Sequence, residues 1–315
     1  MAKAYFVSLA IGMIFLSQTM VGFLANFFLL YHYIFLYHTK SKLRYVELIL
    51  KHISIANSLL ILSEGLPQVM VNFGLKHAFN YFVCKFILYM ERVGRGVSIS
   101  TICLLSVFQT IMISPINSCW KDLKIKAPKY IGLCICLCWF QHIVVNFIFP
   151  VYLMNVSENF HSRNITKKRE MRFCSVADQG EILGSVYLTF ITFPEVIFSV
   201  LMVCASGSMI FTLYRHKQHV RHIHKTNVFS RSPESRATKS ILLLVGTFVS
   251  FYSISSLFNF CIALFPEVYW WLVSISDVLS LCFPTICPFL VMNQVSFLSR
   301  LCFAFIRNTH LADKT

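Results

Sequence analysis

The chain has 315 residues, 57% of them hydrophobic and 15% aromatic, with only 13% charged and a formal net charge of +15 at pH 7. A mean hydropathy of +0.66 is more than a soluble core absorbs, so the length, which would otherwise allow two soluble domains, goes into one membrane-embedded bundle. A strong positive charge raises nucleic-acid binding as a reading; it is set aside because the cations gather in short connections between apolar runs.

A hydrocarbon core of about 30 Å takes about 20 apolar residues as helix. Seven stretches are long enough, at 7–37, 48–67, 82–113, 130–149, 182–214, 240–264 and 269–291. The expected fold is therefore an all-α membrane protein, a seven-transmembrane helix bundle over 1–293 with a cytoplasmic tail at 294–315. The first run far exceeds the apolar core of a signal peptide and has only Lys3 as a cationic start, so it is expected to stay as an anchor. The tail repeats Phe297, Leu298, Leu301, Cys302, Phe305 and Ile306 at the spacing of an interfacial amphipathic helix, with Cys302 a candidate for acylation.

Orientation follows from where Lys and Arg lie. With the N-terminus outside, the cytoplasmic connections hold Lys40, Lys42 and Arg44, then Lys121, Lys124, Lys126 and Lys129, then Arg215, Lys217, Arg221, Arg236 and Lys239, then Arg300 and Arg307. The opposite side has Lys3, Lys76 and a mixed loop in which acidic residues offset the basic ones. That loop carries both sequons, Asn155-Val156-Ser157 and Asn164-Ile165-Thr166, and glycans are added only on the lumenal side. The two signals agree on N-terminus out and C-terminus in.

Most of the 12 cysteines fall within helices or on the cytoplasmic side. Cys84, at the outer end of the third helix, and Cys174, in the sequon-bearing loop, share the oxidising compartment and are expected to pair. Cys134, Cys136 and Cys138 alternate, which scatters them around a helix rather than focusing them on a metal. The His216, His219, His222 and His224 group reads as a solvated basic loop rather than a metal or pH-sensing site.

Specific strings narrow the class. GLPQVMVNFGLKH at 65–77, RVGRGVSIS at 92–100, CLLSVFQ at 103–109, KAPKYIGLC at 126–134, LYRHKQHV at 213–220, SPESRATKSILLLV at 232–245 and RLCFAFIRNT at 300–309 resemble the vomeronasal type 1 receptors. The resemblance runs through most of the chain. It implies a G-protein-coupled receptor for pheromones or other small chemosignals, placed in the plasma membrane of vomeronasal sensory neurons and acting on a heterotrimeric G protein of the inhibitory type. At the inner end of the third helix Val107-Phe108-Gln109 stands where the wider rhodopsin-like pattern has Asp-Arg-Tyr, and the seventh has Cys287-Pro288-Phe289 without Asn-Pro-x-x-Tyr. No arginine lock is available there.

Ionisable residues inside the membrane are functional candidates by default. Glu91 and Arg95 lie at i, i+4 with Arg92 alongside, while Glu64, Glu195 and Asp277 come from three other helices. The expected ligand site comprises Tyr89, Glu91, Arg92, Arg95, Phe193, Glu195, Trp271 and Asp277; the bland reading is a salt-bridge network that only holds helices together. Asn26 and Asn57 are expected to bond each other across helices. Pro194, Pro284 and Pro288 are expected to kink theirs. The G-protein surface is expected at Gln109, Lys121, Lys124, Arg215, Lys217, Arg236 and Lys239, with anionic lipid competing for the same charges. A bitter-taste-type receptor shares the bundle but not the strings, and a transporter would show an internal repeat. No nucleophile–base pair, His-Glu-x-x-His or Gly-rich phosphate loop is present, so neither enzyme activity nor a cofactor or metal is expected.

Overall fold

The structure, a computed structural model, describes residues 2–39, 45–75, 80–114, 121–160, 168–171, 174–177, 181–223, 233–264 and 270–294. The chain runs through α1 (Ala2–Thr39), α2 (Tyr45–Leu60), a π-helical turn (Ile61–Gly65), α3 (Leu66–Asn72), α4 (Tyr81–Ile113), α5 (Lys121–Phe160), strands β1 (Lys168–Met171) and β2 (Cys174–Ala177), α6 (Glu181–Ile223), α7 (Pro233–Leu264) and α8 (Trp270–Gln294). With α2, the π turn and α3 forming one rod, seven rods stand where seven crossings are expected. Among the described residues six have a stretch long and apolar enough to cross a membrane, and α7 supplies a shorter one, Leu242–Ser255. The expected tail helix, from 295 on, lies outside the described residues.

Bounds differ from expectation where polar residues continue a helix past its apolar part. The α6 and α7 helices run to Ile223 and back to Pro233, so Arg215, Lys217, Arg236 and Lys239 belong to helices and not to the open 215–239 loop. Lys and Arg are good helix formers, and hydropathy reports only the lipid-crossing part. In the same way α5 begins at Lys121 and passes Pro150 to end at Phe160, so the Asn155 sequon falls in its last turns instead of a loop. The expected loop also contains a hairpin: β1 and β2 pair antiparallel with Lys168 opposite Ala177 and Met171 opposite Cys174.

The second rod does not stop at Pro67. The proline sits in the first turn of α3, directly after the π turn, whose wider register accommodates a residue that lacks an N–H and whose ring would collide with the i−4 carbonyl. The Ser63 hydroxyl adds bonds back to the carbonyls of Leu59 (2.8 Å) and Leu60 (3.2 Å). The next rod, α4, is capped by Asn80, whose side chain accepts from the Val83 N–H at 2.9 Å.

The core gathers on α4, against which α2, α5 and α6 all pack. Ile49 and Ile53 of α2, Ile99, Ile102 and Leu105 of α4, Met202 and Met209 of α6, Leu244 of α7 and Phe283 of α8 are buried together. The helices' outward faces are apolar too, with Phe27, Phe28, Phe140, Phe147 and Phe211 exposed, as a surface bathed in hydrocarbon requires. A Cβ on Gly94 would lie 3.2 Å from the Ala56 carbonyl oxygen and 3.1 Å from the Leu60 nitrogen. The glycine thus lets α4 lie directly on the α2 backbone.

Asn26 and Asn57 do not bond each other. The Asn26 amide donates to the Gly22 carbonyl (2.8 Å) and, across the bundle, to the Pro284 carbonyl (2.9 Å); Asn57 Oδ1 accepts from the Ser98 hydroxyl at 2.9 Å. Pro288 explains the first choice: it has no N–H to return to residue 284, and Asn26 satisfies the carbonyl thus orphaned. Replacing Asn26→Leu is expected to lower the thermal midpoint of detergent-solubilised protein, a loss of about 1–3 kcal/mol for a buried acceptor left bare. An unchanged midpoint would deny that contact its role.

Candidate functional site

Five rods bring polar groups to the middle of the bundle. On α2 and its continuation Asn57, Glu64 and Gln68 follow one another along the rod, and each reaches a different partner. The Glu64 side chain has 0% exposure. Its Oε2 lies 3.4 Å from Nη2 of Arg95 on α4, and its Oε1 is hydrogen-bonded by the Ser280 hydroxyl of α8. The same Arg95 Nη2 lies 3.2 Å from Oε1 of Glu91, one turn away on α4. One guanidinium and one serine therefore stabilise a carboxylate that would be prohibitively costly alone in a low-dielectric interior.

Two satellites flank this centre. Asp277 of α8, 1% exposed, accepts from the Gln68 amide at 2.6 Å. Glu195 of α6 accepts from the Tyr252 hydroxyl of α7 at 2.6 Å. Among the described contacts Arg95 binds Glu64 and Glu91, while Asp277 accepts from a glutamine amide and Glu195 from a tyrosine hydroxyl.

A cleft opens beside Arg95. It is narrow and lies between α4, α7 and α8, with Leu60 of α2 also in its lining. Its polar groups are Arg95, Ser98, Tyr252, Ser255 and Ser280; its walls are Ile99, Phe248, Phe251, Leu279, Phe283 and Pro284. The Phe248 ring meets Phe283 edge-on at 4.8 Å and stacks on Tyr252 at 5.6 Å, giving one side of the cleft a rigid aromatic wall. An apolar cavity with a few convergent polar groups is the ordinary form of a small-molecule site.

Of the residues expected to form a ligand site, Arg95 lines the cleft, and Glu91 and Glu195 stand one contact behind the lining groups Arg95 and Tyr252. Asp277 is held by Gln68, outside the lining, as is half-buried Arg92 on α4. Tyr89 turns to α5, its hydroxyl donating to the Ile143 carbonyl at 3.2 Å and its ring meeting Phe147 edge-on at 6.4 Å. Phe193 is 63% exposed and faces away from the bundle. Trp271 falls in the first turn of α8, its side chain outside those described. The expected set omits Glu64, Ser280, Tyr252 and the phenylalanines of α7 and α8. Only Glu64 carried a signal, a carboxylate within an apolar stretch.

Cys84, at the start of α4, is disulfide-bonded; Cys174 opens β2, and Asn164 lies outside the described residues. Cys134, Cys136 and Cys138 are free thiols, Cys136 pointing outward. At the opposite end of α4 Phe108 is buried, edge-on to Tyr45 at 6.4 Å, and Gln109 is half-buried beside it. The Thr110 hydroxyl donates to the Ala205 carbonyl of α6 at 2.9 Å. Lys124 donates to the carbonyl of Ser114 at 3.3 Å, where α4 ends, and the exposed Arg215 guanidinium lies 5.8 Å from the centre of the Phe211 ring. Lys121 begins α5, and its side chain, like those of Lys217, Arg236 and Lys239, is outside those described.

Fold and site together define a multi-pass helical membrane protein with a narrow cleft beside a buried ion pair. The sequence model of the vomeronasal organ pheromone receptor family matches residues 9–304. The chain is 49% identical to human "Vomeronasal type-1 receptor 2" over 91% of its own length and 72% of that protein's. It is 45% identical to human "Vomeronasal type-1 receptor 4" over 98% and 100% respectively, and 47% identical to human "Vomeronasal type-1 receptor 3" over 93% of each. The chain belongs to the vomeronasal type-1 receptor family and is a chemosensory receptor of the G-protein-coupled type.

Replacing Arg95→Met leaves Glu64 and Glu91 without their shared cation. The thermal midpoint of the purified receptor should fall steeply, the loss of one partner of a buried pair amounting to about 3–5 kcal/mol. Adding Glu64→Gln should restore part of the loss, since the second change removes the charge the first one stranded. Strictly additive losses would show that the two residues do not interact.

Proposed function

We propose that this receptor binds a pheromone or other small chemosignal in the cleft between α4, α7 and α8, and that occupancy is transmitted to a heterotrimeric G protein of the inhibitory type. The carrying observation is the lining itself: Arg95 and Ser280 belong both to the cleft and to the interhelical network. A ligand that touches them has different interaction energies with different bundle arrangements, the condition for shifting a conformational equilibrium.

The N-terminus and the β1–β2 hairpin lie outside the cell, with the hairpin tied to the bundle by a Cys84–Cys174 disulfide and glycans on Asn164 and Asn155. The basic ends of α5, α6 and α7, with Gln109, Lys121, Lys124, Arg215, Lys217, Arg236 and Lys239, face the cytoplasm. There they meet the G protein and anionic lipid. The positive-inside distribution of the sequence supports this orientation, and the family supports a place in the plasma membrane of vomeronasal sensory neurons.

Expression with a promiscuous G protein, challenged with urine fractions and with steroid and volatile panels while calcium is recorded, tests the reading. An agonist found this way should lose at least about tenfold in potency on Phe248→Ala, which removes the aromatic wall and with it a stacking and burial contribution of about 1.4 kcal/mol or more. Unchanged potency at normal surface expression would place the ligand elsewhere, and transport of the compound without G-protein activation would reject the receptor mechanism.

A further inference from the structure

Glu64 joins three rods, yet it is absent from the cleft lining. Its two carboxylate oxygens are held by Arg95 and Ser280, and both of those residues line the cleft. A ligand therefore touches the two groups that hold Glu64 without touching Glu64 itself. The carboxylate sits in the π turn Ile61–Gly65, a wide turn that costs regular hydrogen bonding and recurs at functional sites in other proteins. The next residue, Gly65, lies so close to Thr19 of α1 that a Cβ there would overlap the threonine hydroxyl, so the turn is packed against a fourth rod. At the far end of α4 the sequence Val107-Phe108-Gln109 provides no arginine restraint.

From this arrangement we propose that Glu64 is a positioning residue that holds the receptor in its resting arrangement, its contacts to Arg95 and Ser280 tying α4 and α8 to the π turn. Ligand bound in the cleft competes for Arg95 and Ser280 and so weakens both contacts at once. The released π turn then re-registers α2 against α1, α4 and α8. This rests on the cleft being the ligand site of a G-protein-coupled receptor, as proposed above.

The test is agonist-independent signalling of the full-length receptor, measured with a promiscuous G protein and normalised to receptor counted at the cell surface. Glu64→Gln keeps the shape and removes the charge; Ser280→Ala removes the second contact and leaves the charge in place; Glu64→Asp keeps the charge on a shorter arm. Losing a hydrogen bond to a charged group should shift the resting equilibrium about tenfold. Basal signalling is therefore expected to rise severalfold in Glu64→Gln and in Ser280→Ala, with Glu64→Asp nearer to wild type. A purely structural role for Glu64 would lower surface expression without raising signal per receptor, and that outcome overturns the proposal, as does unchanged basal signalling in Ser280→Ala at normal surface level. Should wild-type receptor activate no G protein with any agonist, the receptor reading itself fails, which is a different result from an agonist-responsive wild type with silent variants.

Discussion

A fully buried carboxylate at the centre of a hydrocarbon-facing bundle is the constraint around which the rest of this structure is arranged. Glu64 is shut off from bulk solvent, so its charge survives only where a cation and a hydroxyl converge on it from neighbouring helices. Arg95 and Ser280 supply them. That convergence requires α2 and α4 to lie close enough for side chains of ordinary length to meet, and Gly94 allows this by letting one backbone rest on the other. The second rod continues past Pro67, which the π turn makes sterically acceptable, and so brings Gln68 to Asp277.

The same economy recurs at smaller scale. Pro288 leaves a carbonyl without a donor and Asn26 of a distant helix provides one; Asp277 is held by the Gln68 amide and Glu195 by the Tyr252 hydroxyl. Each of these contacts joins two rods, so the network that satisfies buried polar groups also fixes helix positions. At Arg95 helix packing and electrostatics are the same contacts.

Much of this was legible in the sequence, and the limits have identifiable physical causes. The α4 bounds, expected at 82–113 and found at Tyr81–Ile113, were readable because the span ends where its apolar run ends. The Glu91–Arg95 pair was readable because i, i+4 spacing fixes neighbours within one helix. Contacts between helices were not. The expected Asn26–Asn57 bond was chemically reasonable but required those two rods to face each other at that depth, and Pro284 offered Asn26 a better acceptor. Phe193 and Tyr89 were placed in the cavity by residue type alone, whereas an aromatic side chain faces lipid, neighbour or cleft according to a helix rotation that no local pattern reveals. The span expected at 130–149 is extended in both directions, since α5 begins at Lys121 and passes Pro150 to end at Phe160.

The Glu64–Arg95 contact is tested most directly by exchanging the two charges. Glu64→Arg and Arg95→Glu, made singly, should each abolish surface expression or agonist response, because each puts like charges side by side in the bundle interior. The double exchange restores an opposite pair and should recover a substantial fraction of surface-expressed, agonist-responsive receptor. Failure of the double variant to improve on either single one would contradict the account.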